Sequence, residues 1–462
     1  LVDAPLRDMV QTRLMIERGA SGADKRLATL ATEARSNAHI AYALFNRHLE
    51  KGRIDAAIGL LLRQSRREAG LQEPERWARK RRDLARDRMR DGAGLTAYEI
   101  ASVHGLVEGS SYADLEWLSG YLALTYLDQP DLAVDHFHNL LEAVQTPISL
   151  GRAAYWLGRA EEALGNEEAA QIAYELGALH QTSYYGLLAA ERGGFPFDAG
   201  LSSEVDESDW READFARDLV YQAGVLLYAS GEVALAERFF THLAAHLDVG
   251  DLQKLGAALH DLGSPHLQVM VGKAAAKRGI VVAAPYFALH PMQNMDLPVP
   301  MELALAIARR ESEFDTYVTS GAGAMGLMQL MPATATEMAR ALSEDNHSRA
   351  RLYEDWSYNA RLGSAYLARM ARLFDGNIVM MSAAYNAGPG RPSRWMSRFG
   401  DPRTDARDVI DWVEHVPFSE TRNYIMRVTE SLPIYRARLG RNPHPVPFSE
   451  ELSGSTFATK SD

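Results

Sequence analysis

The chain has 462 residues, of which 47% are hydrophobic and 24% charged, a composition typical of a folded globular protein and not of a disordered or fibrous one. Its formal net charge of -12 disfavours nucleic acid as a partner, because nucleic-acid-binding proteins usually present a basic surface. It contains no cysteine, which excludes disulfide bonds, thiol catalysis and cysteine-ligated metal. The length predicts two or three domains.

Residues 1–207 are predicted to form one α-helix after another. Ala, Leu, Glu and Arg dominate this part, apolar residues recur every three or four positions, and alternating β-branched runs are rare. A basic stretch at 75–90 interleaves acidic and basic residues at helical spacing. That interleaving favours a solvated helix face over a nucleic-acid or membrane site.

A weak repeat runs through these helices. A turn residue is followed by small residues four and five positions later and by a large residue nine positions later, with predicted turns at Gly52, Gln129, Gly165 and Ser230. Small side chains let a second helix lie close to the first, and the large one fills the gap between neighbouring pairs. The spacing between Gln129 and Gly165 is close to the period of helical-hairpin repeats. The pattern predicts a superhelical solenoid of helical hairpins.

Two stretches interrupt the helical periodicity. Residues 193–208 are rich in glycine, serine and acid, and residues 288–300 contain three prolines. The polar end of the chain has no helical periodicity and is predicted to be loose. The resulting division is a helical-repeat domain at 1–207, a helical linker domain at 208–287, a C-terminal domain at 288–445 and a loose tail at 446–462.

Metal and membrane signals are weak. His242 and His246 are spaced like a pair of metal ligands, but no glutamate follows His242 in the HExxH manner and no third ligand is evident, so no metal is predicted. No stretch reaches the roughly 18 apolar residues that a membrane helix needs. The numbered chain does not open with a basic start and an apolar core, so an export leader is expected only as a segment removed before residue 1.

The C-terminal domain opens with a helix that carries a carboxylate on its apolar face. Three- and four-residue spacing places Leu303, Ile307 and Glu311 on one side. Apolar surroundings raise the pKa of a carboxyl toward the range of a general acid that works near neutral pH. On spacing alone, a structural role in which Glu311 binds backbone at the helix end is at least as well supported.

A glycine-rich segment follows this helix. Three glycines spell G-x-G-x-x-G at 321–326, but the preceding helix and the lack of parallel-strand patterning argue against a dinucleotide site. Glycine also lets the backbone approach a flat ligand closely, as a sugar-binding cleft requires. Met325, Met328 and Met331 recur every three residues, a stripe typical of a core. Gln329 points elsewhere and offers an amide to sugar hydroxyls or acetamides.

Three motifs, in order, resemble the signature of the soluble lytic transglycosylases, which belong to the goose-lysozyme-like glycosidases. The first is E-S-x-F at 311–314, continued by Ser320 and by G-A-M-G-L-M-Q-L-M-P-x-T-A at 323–335. The second and third are A-Y-N-A-G-P-G at 384–390 and E-H-V-P-F-S-E-T-R-N-Y at 414–424. The resemblance implies a lysozyme-like α domain at the C-terminus of an all-α protein.

The first half is similar to the superhelical region of the large periplasmic members of this family. The likeness rests on architecture and on short matches, Y-W-L-G-R-A at 155–160 and Y-Y-G-L at 184–187. The sequence departs from the family at Asp315-Thr316, where Asn-Pro is common, and at Pro433 in the predicted final helix.

The resemblance implies that Glu311 is a single catalytic acid and base acting on peptidoglycan. Glu311 would protonate the glycosidic oxygen between N-acetylmuramic acid and N-acetylglucosamine, then act as base on the muramoyl C6 hydroxyl to close a 1,6-anhydro product. Most glycosidases need two carboxylates. Here Glu313 is predicted to face away and Asp315 lies past the helix end, so no second carboxylate is placed by spacing.

A set of substrate-binding residues follows from the same resemblance. Ser320 and Gln329 are expected to bond the acetamide or hydroxyls near the scissile bond, and Tyr385 to orient the catalytic carboxyl or the sugar. Glu414 is expected to line the cleft, with a surface salt bridge as the alternative. Tyr424 is expected to be either a sugar-stacking ring or a core residue. The set is completed by Ser312, Met331 and Asn386, the last expected at a helix end.

The family also implies a periplasmic location, peptidoglycan strands and muropeptides as partners, and no cofactor. Cell-wall proteins are candidate partners of the solenoid. Two other interpretations stay open. One is a lysozyme-type hydrolase on the same fold, with water as nucleophile. The other is a helical-repeat scaffold whose C-terminal module binds glycan without cleaving it.

Overall fold

The computed structural model describes residues 4–202, 209–404 and 408–457. Within these ranges the protein consists of α-helices and short 3₁₀ helices, with isolated antiparallel bridges at Met325 and no extended strand. The predicted all-α class is therefore confirmed. No helix in the described ranges is long and apolar enough to cross a membrane.

Helices follow one another with short connections in the first half of the chain. Neighbours such as α4 and α5, or α8 and α9, pack directly against each other. Their bounds are α1 Ala4–Glu17, α2 Ala23–Thr29, α3 Thr32–Arg35, α4 Ala38–Glu50, α5 Ile54–Ser65, α6 Pro74–Arg90, α7 Gly94–Ser102, α8 Ser110–Tyr126, α9 Pro130–Ala143, α10 Pro147–Ala163, α11 Glu167–Ala178 and α12 Tyr184–Arg192.

The hairpin turns share one pattern that sharpens the predicted repeat. A residue with positive φ is followed five positions later by a buried alanine and nine positions later by a buried larger residue. The four sets are Gly52, Ala57 and Leu61; Asp128, Ala133 and Phe137; Gly165, Ala170 and Tyr174; and Gly231, Ala236 and Phe240. The positive φ falls on Asp128, one residue before the predicted turn residue Gln129, and on Gly231, one residue after the predicted turn residue Ser230.

A second group of helices leads to the C-terminal domain and forms a core of its own around Phe240, Leu255 and Leu267. A Cβ on Gly224 would lie 2.9 Å from the Phe240 ring, so the glycine leaves room for that ring. The helices are α13 Leu219–Ala229, α14 Val233–Ala244, α15 Val249–Asp261, α16 Pro265–Ala276 and α17 Ala283–Tyr286, with 3₁₀ helices at Ala199–Ser202, Trp210–Glu212, Asp214–Arg217 and Pro291–Asn294.

The C-terminal domain is organised around α18, which packs against α25 and α26, while α22 packs against α21, α23 and α25. Pro433 falls in the first turn of α26, where a missing backbone N–H leaves no helical bond unmade. The helices are α18 Met301–Ser312, α19 Pro332–Ala341, α20 Arg351–Glu354, α21 Trp356–Leu373, α22 Ile378–Ala387, α23 Gly390–Phe399, α24 Val409–His415, α25 Ser419–Thr429, α26 Ser431–Arg438 and α27 Phe448–Ser453.

The chain divides into two compact units. One comprises Leu1–Val144 and Trp156–Gln171, and the other Gln145–Tyr155 and Ile172–Asp462. The second unit therefore includes α12 together with all helices that follow it. The predicted boundary at 207 lies outside the described residues, and the three-domain division stays a prediction.

The predicted loose tail is wrong as far as residue 457. Helix α27 buries Phe448 and Leu452. Asn377 donates hydrogen bonds from Nδ2 to the carbonyl oxygens of Leu452 and Gly454, both at 2.9 Å. A six-residue helix in a polar segment gives too little periodicity to be recognised from sequence. Residues 458–462 lie outside the described ranges.

Candidate active site

Glu311 lies in the last turn of α18 at the border between core and solvent. Ile307 and Leu303, one and two turns earlier on the same face, are fully buried. Glu311 itself is half-buried. The predicted helix and its apolar face are therefore present, and they hold the carboxyl where it is both shielded from water and reachable.

The chain turns sharply after this carboxyl. Glu313 and Phe314 have φ values of 48° and 64°, a left-handed conformation that is uncommon outside glycine. The Glu313 carboxylate lies 2.6 Å from Lys273 Nζ, and its carbonyl oxygen lies 3.0 Å from His266 Nδ1. Both partners belong to α16, so Glu313 is held by that helix. Consecutive left-handed residues of this kind are strained and cluster at functional sites.

Tyr424 supplies the direct hydrogen bond to Glu311. Its hydroxyl donates to Glu311 Oε1 at 2.7 Å, and its ring is 2% exposed. The Arg310 guanidinium lies 5.7 Å from the centre of that ring. The two expectations for Tyr424, a sugar-stacking ring or a passive core residue, are therefore both incomplete, because its hydroxyl binds the candidate acid.

Burial raises the pKa of Glu311 from 4.5 to about 7. The hydrogen bond from Tyr424 and the charge of Arg310 act in the opposite direction, and the charges of Glu420 and Glu313 add to the rise. A carboxyl with this pKa exists in both its protonated and its ionised form at neutral pH. It can therefore act as an acid in one step and as a base in the next.

The glycine-rich loop is tied to the end of α18 and to α22. Ser312 donates from Oγ to the carbonyl oxygen of Leu327 at 2.7 Å, and Tyr385 donates from its hydroxyl to the carbonyl oxygen of Met328 at 2.8 Å. Ser312 is 4% exposed. Its expected contact with substrate is therefore wrong in this conformation, since Ser312 fixes the loop instead.

Three other predicted residues lie within this loop. Ser320 accepts a hydrogen bond at Oγ from the Ala324 N–H at 3.0 Å, which closes the glycine turn. Gln329 donates from Nε2 to the carbonyl oxygens of Val318 and Gly326 at 3.0 and 2.9 Å. Both side chains are half-buried, whereas Met331 is 44% exposed. The loop thus presents Met331 to solvent and uses Gln329 Nε2 internally.

The second motif lies next to the acid without bonding it. Burial and then the charge of Glu311 raise the pKa of the Tyr385 phenol well above its ordinary value. The Tyr385 hydroxyl bonds loop backbone, and the direct hydrogen bond to Glu311 comes from Tyr424 instead, so an orienting role of Tyr385 toward the sugar stays a prediction. Asn386 accepts at Oδ1 from the Thr421 hydroxyl at 2.6 Å, which joins α22 to α25.

Glu414 does not line a cleft. Its side chain is fully buried, and its Oε1 accepts hydrogen bonds from the Tyr185 hydroxyl at 2.7 Å and from Arg152 at 2.9 Å. The Arg422 Nε lies 3.5 Å from Oε2. The expected substrate contact is therefore wrong, and so is the alternative of a surface salt bridge.

Glu420 is a site residue that the sequence reasoning missed. It is exposed in the first turn of α25, one helical turn before Tyr424, and its charge contributes to the raised pKa of Glu311. The spacing of four residues within the third motif was the available signal, because residues i and i+4 share a helix face. Glu420 is thus a second, exposed carboxylate whose charge acts on Glu311.

Among the residues that the structure describes, the site has no arrangement typical of a metal centre. No group of three or more His, Asp or Glu side chains in the described ranges is arranged to hold a metal ion. His242, in the last turn of α14, and His246, just after that helix, pack edge to face with ring centres 5.1 Å apart.

The sequence of the site region is similar to the sequences of known proteins. Residues 292–407 match the family model of the transglycosylase SLT domain. The soluble lytic murein transglycosylase of Escherichia coli K12 is 40% identical over 145 residues, which cover 31% of this chain and 22% of that protein. The protein of the same name from Salmonella typhimurium is 40% identical over 144 residues, with the same two shares. The chain spans about a fifth of the length of these curated relatives.

The fold is similar over almost the whole chain to two solved structures. An inactive mutant of lytic transglycosylase Slt from Pseudomonas aeruginosa aligns with a TM-score of 0.61 and 24% identity, covering 96% of this chain and 74% of that one. The 70 kDa soluble lytic transglycosylase of Escherichia coli aligns with a TM-score of 0.54 and 19% identity, covering 95% and 79%. Residues 292–407 of this chain are therefore similar to the transglycosylase SLT domain, and a stretch of about 145 residues is similar to the soluble lytic murein transglycosylases.

Proposed function

We propose that the protein is a lytic transglycosylase that cleaves the β-1,4 bond between N-acetylmuramic acid and N-acetylglucosamine in peptidoglycan and leaves a 1,6-anhydromuramoyl end. The observation that carries the proposal is the Glu311 carboxyl, which has a pKa of about 7 and accepts a hydrogen bond from Tyr424 at the edge of the glycine-rich loop. A group that gives up a proton in one step and takes one in the next works best when its pKa lies near the working pH.

The proposed reaction has two steps. Protonated Glu311 donates its proton to the glycosidic oxygen, and the bond from C1 to that oxygen breaks with its electron pair leaving on the N-acetylglucosamine oxygen. The acetamide of the substrate stabilises the cationic C1, as in substrate-assisted glycosidases. Ionised Glu311 then takes the proton of the C6 hydroxyl while that oxygen bonds to C1. Because Tyr424 donates to Oε1, Oε2 is the oxygen available for proton transfer.

Peptidoglycan strands and muropeptides are the proposed partners of this site. Accessible or half-buried side chains of the glycine-rich loop, α22 and α25 are proposed to bind the glycan: Ser320, Gln329, Met331, Tyr385 and Glu420. The acetamide and hydroxyl groups of the sugar would meet the amide oxygen of Gln329 and the carboxylate of Glu420. A peptidoglycan substrate places the proposed site of action in the periplasm, and cell-wall proteins are the proposed partners of the helices in the first half.

Glu311→Gln tests the proposed acid. Purified sacculi are incubated with the wild type and with this variant, and the released muropeptides are identified by mass spectrometry. We expect anhydromuropeptides from the wild type and a loss of rate of about a thousandfold or more in the variant, because the amide can neither donate nor accept the proton. Circular dichroism and sacculus binding should not change. Glu337→Gln, which alters an exposed carboxylate on α19, is the control that should keep full activity.

One observation favours the hydrolase as the second candidate. Glu420 gives Glu311 a neighbouring carboxylate that could activate water, as in two-carboxylate glycosidases. The same digest separates the two, since a reducing end is heavier than an anhydro end by one water. If all products carried reducing ends, the hydrolase would replace the transglycosylase proposal. If the wild type bound sacculi but released no product, a glycan-binding scaffold without catalytic activity would be the remaining interpretation.

A further inference from the structure

The Y-Y-G-L stretch at 184–187 has no part in the proposed reaction, yet it meets the third motif. The Tyr185 hydroxyl donates to Glu414 Oε1 at 2.7 Å, and Arg152 from α10 donates to the same oxygen at 2.9 Å. Tyr185 is 3% exposed and Glu414 is fully buried. These contacts join helices far from the SLT domain match to the start of the motif that carries Tyr424.

Close packing between α10 and α12 brings these donors together. A Cβ on Gly151 would lie 2.5 Å from Ser183 Oγ, and that hydroxyl accepts a hydrogen bond from the Gly186 N–H at the start of α12. The Arg152 guanidinium consequently lies 5.7 Å from the centre of the Tyr185 ring. A buried carboxylate is tolerated only where its partners are held in good geometry. The pair of helices therefore fixes the position of Glu414.

Glu414 in turn holds the corner between α24 and α25. It lies in the last turn of α24, and its Oε2 faces Arg422 Nε in α25 at 3.5 Å. Arg422 also donates from Nη1 to the carbonyl oxygen of Val416 at 3.0 Å. Tyr424 follows Arg422 by two residues and reaches Glu311 at 2.7 Å. Side-chain contacts therefore run from α12 to Arg422, and the backbone of α25 connects Arg422 to Tyr424 and so to the candidate acid.

We propose that Tyr185 and Arg152 are positioning residues of the active site, which hold Glu414 so that α25 presents the Tyr424 hydroxyl to Glu311. The inference rests on the proposed function for its kinetic test. Neither residue touches the reacting atoms. Their effect passes through the hydrogen bond from Tyr424, which otherwise offsets part of the rise in the pKa of Glu311.

The test compares Tyr185→Phe with Tyr184→Phe. Both rings are buried, but the Tyr184 hydroxyl has no hydrogen-bond partner among the described residues, so its removal is the matched control. We expect Tyr185→Phe to lower kcat by about three- to tenfold with KM little changed, and to move the alkaline limb of the pH profile upward. Tyr184→Phe should match the wild type. Arg152→Met should behave like Tyr185→Phe, and Arg152→Lys should recover part of the loss.

A double-mutant cycle separates positioning from general stability. If Tyr185 acts through Tyr424, adding Tyr185→Phe to Tyr424→Phe should lower kcat no further, whereas independent effects would multiply. A Tyr185→Phe protein that melts earlier but keeps the wild-type kcat and pH profile would overturn the inference. The inference would also be overturned if the kcat losses of the two single variants multiplied in the double variant.

A spectroscopic readout keeps this inference separate from the proposed function. The difference infrared spectrum between each background protein and its Glu311→Gln variant reports the pKa of Glu311 without any substrate. Suppose that the pKa of Glu311 is higher in Tyr185→Phe but the wild type makes no anhydro product. That result would reject the proposed function and support the positioning role of Tyr185. An active wild type with an unshifted carboxyl band in Tyr185→Phe would reject the positioning alone.

Discussion

Glu311 couples the stability of the fold to pH. Its pKa of about 7 in the folded protein is above the ordinary value of 4.5, so between these pH values the folded state binds more protons than the unfolded state. The stabilising contribution of the protonated carboxyl is complete below about pH 4.5 and is lost as the pH rises through 7. Since one pKa unit corresponds to about 1.4 kcal/mol, the loss is on the order of 1 to 3 kcal/mol for this half-buried group.

A second prediction follows for Glu311→Gln. At pH 8 the variant should be more stable than the wild type by roughly 1 to 3 kcal/mol, and near pH 4 the two should be similar, because glutamine has no charge to bury. Urea unfolding at both pH values measures this difference. Glu430, whose pKa burial also raises to about 7, is present in both proteins and cancels in the comparison. A difference that stays constant between pH 4 and pH 8 would contradict the assignment of the raised pKa to Glu311.

At the residue scale, the sequence predicted positions within helices better than contacts between helices. Glu311 was identified because helical spacing and a motif both point to it. The Tyr424 bond joins residues 113 positions apart, and the Arg152 bond to Glu414 joins residues 262 apart. Contacts between residues this far apart in the sequence leave no local periodic signal. The role of Tyr424 therefore stayed ambiguous, and Glu414 was predicted to line the cleft. Motif membership marked both residues as candidates but did not indicate which partner each binds.

The glycine-rich loop makes a prediction at the scale of a structural element. Gly326 has a φ of 75°, and a Cβ there would lie 2.2 Å from the carbonyl oxygen of Leu352 and 2.4 Å from Asn359 Nδ2. Gly326→Ala should therefore destabilise the protein by about 2 kcal/mol or more and lower activity, because the loop carries Gln329. Thermal unfolding and muropeptide release measure the two effects.

Gly321→Ala is the matched control in the same loop. Gly321 does not require a positive φ, and an added Cβ would meet nothing within 4 Å. This variant should keep the melting temperature and the activity of the wild type. Equal losses in the two variants would show that the loop resists any side chain and not only one at the crowded position.

The helical hairpins show where element prediction succeeds and where it stops. Alanine and aromatic spacing predicted the packing of Ala133 and Phe137 because burial follows helical period. The turn was placed at Gln129 because Asp128, which has the positive φ, is not a glycine. Aspartate visits the left-handed region more readily than most residues, but composition alone does not mark it. At the other hairpin the positive φ falls on a glycine, Gly231, directly after the predicted turn residue Ser230.

Helix α27 gives a prediction for the molecule as a whole. It packs against α12, α22 and α24, and Glu451 within it pairs with Arg436 and is fully buried. A chain ending at residue 445 would leave Arg436 buried with fewer partners, a loss of about 3 kcal/mol or more. We expect a lower melting temperature in calorimetry and a lower specific activity. Glu451→Gln should reproduce part of the loss, and Glu450→Gln, on the exposed face of the same helix, should not.

The buried contacts of Glu414 also limit which segments of this protein can be fused to other proteins without loss of stability. A gene fusion that carried only residues 288–445 would inherit the buried carboxylate without Arg152 and Tyr185, and the charge would be left with a fraction of its donors. Recombination that separates residues 288–445 from α10 and α12 is therefore expected to lower stability, even where the proposed sugar-binding surface is unchanged. We expect natural domain shuffling and laboratory grafting of this C-terminal segment to yield a stable protein when α10 and α12 are included with it.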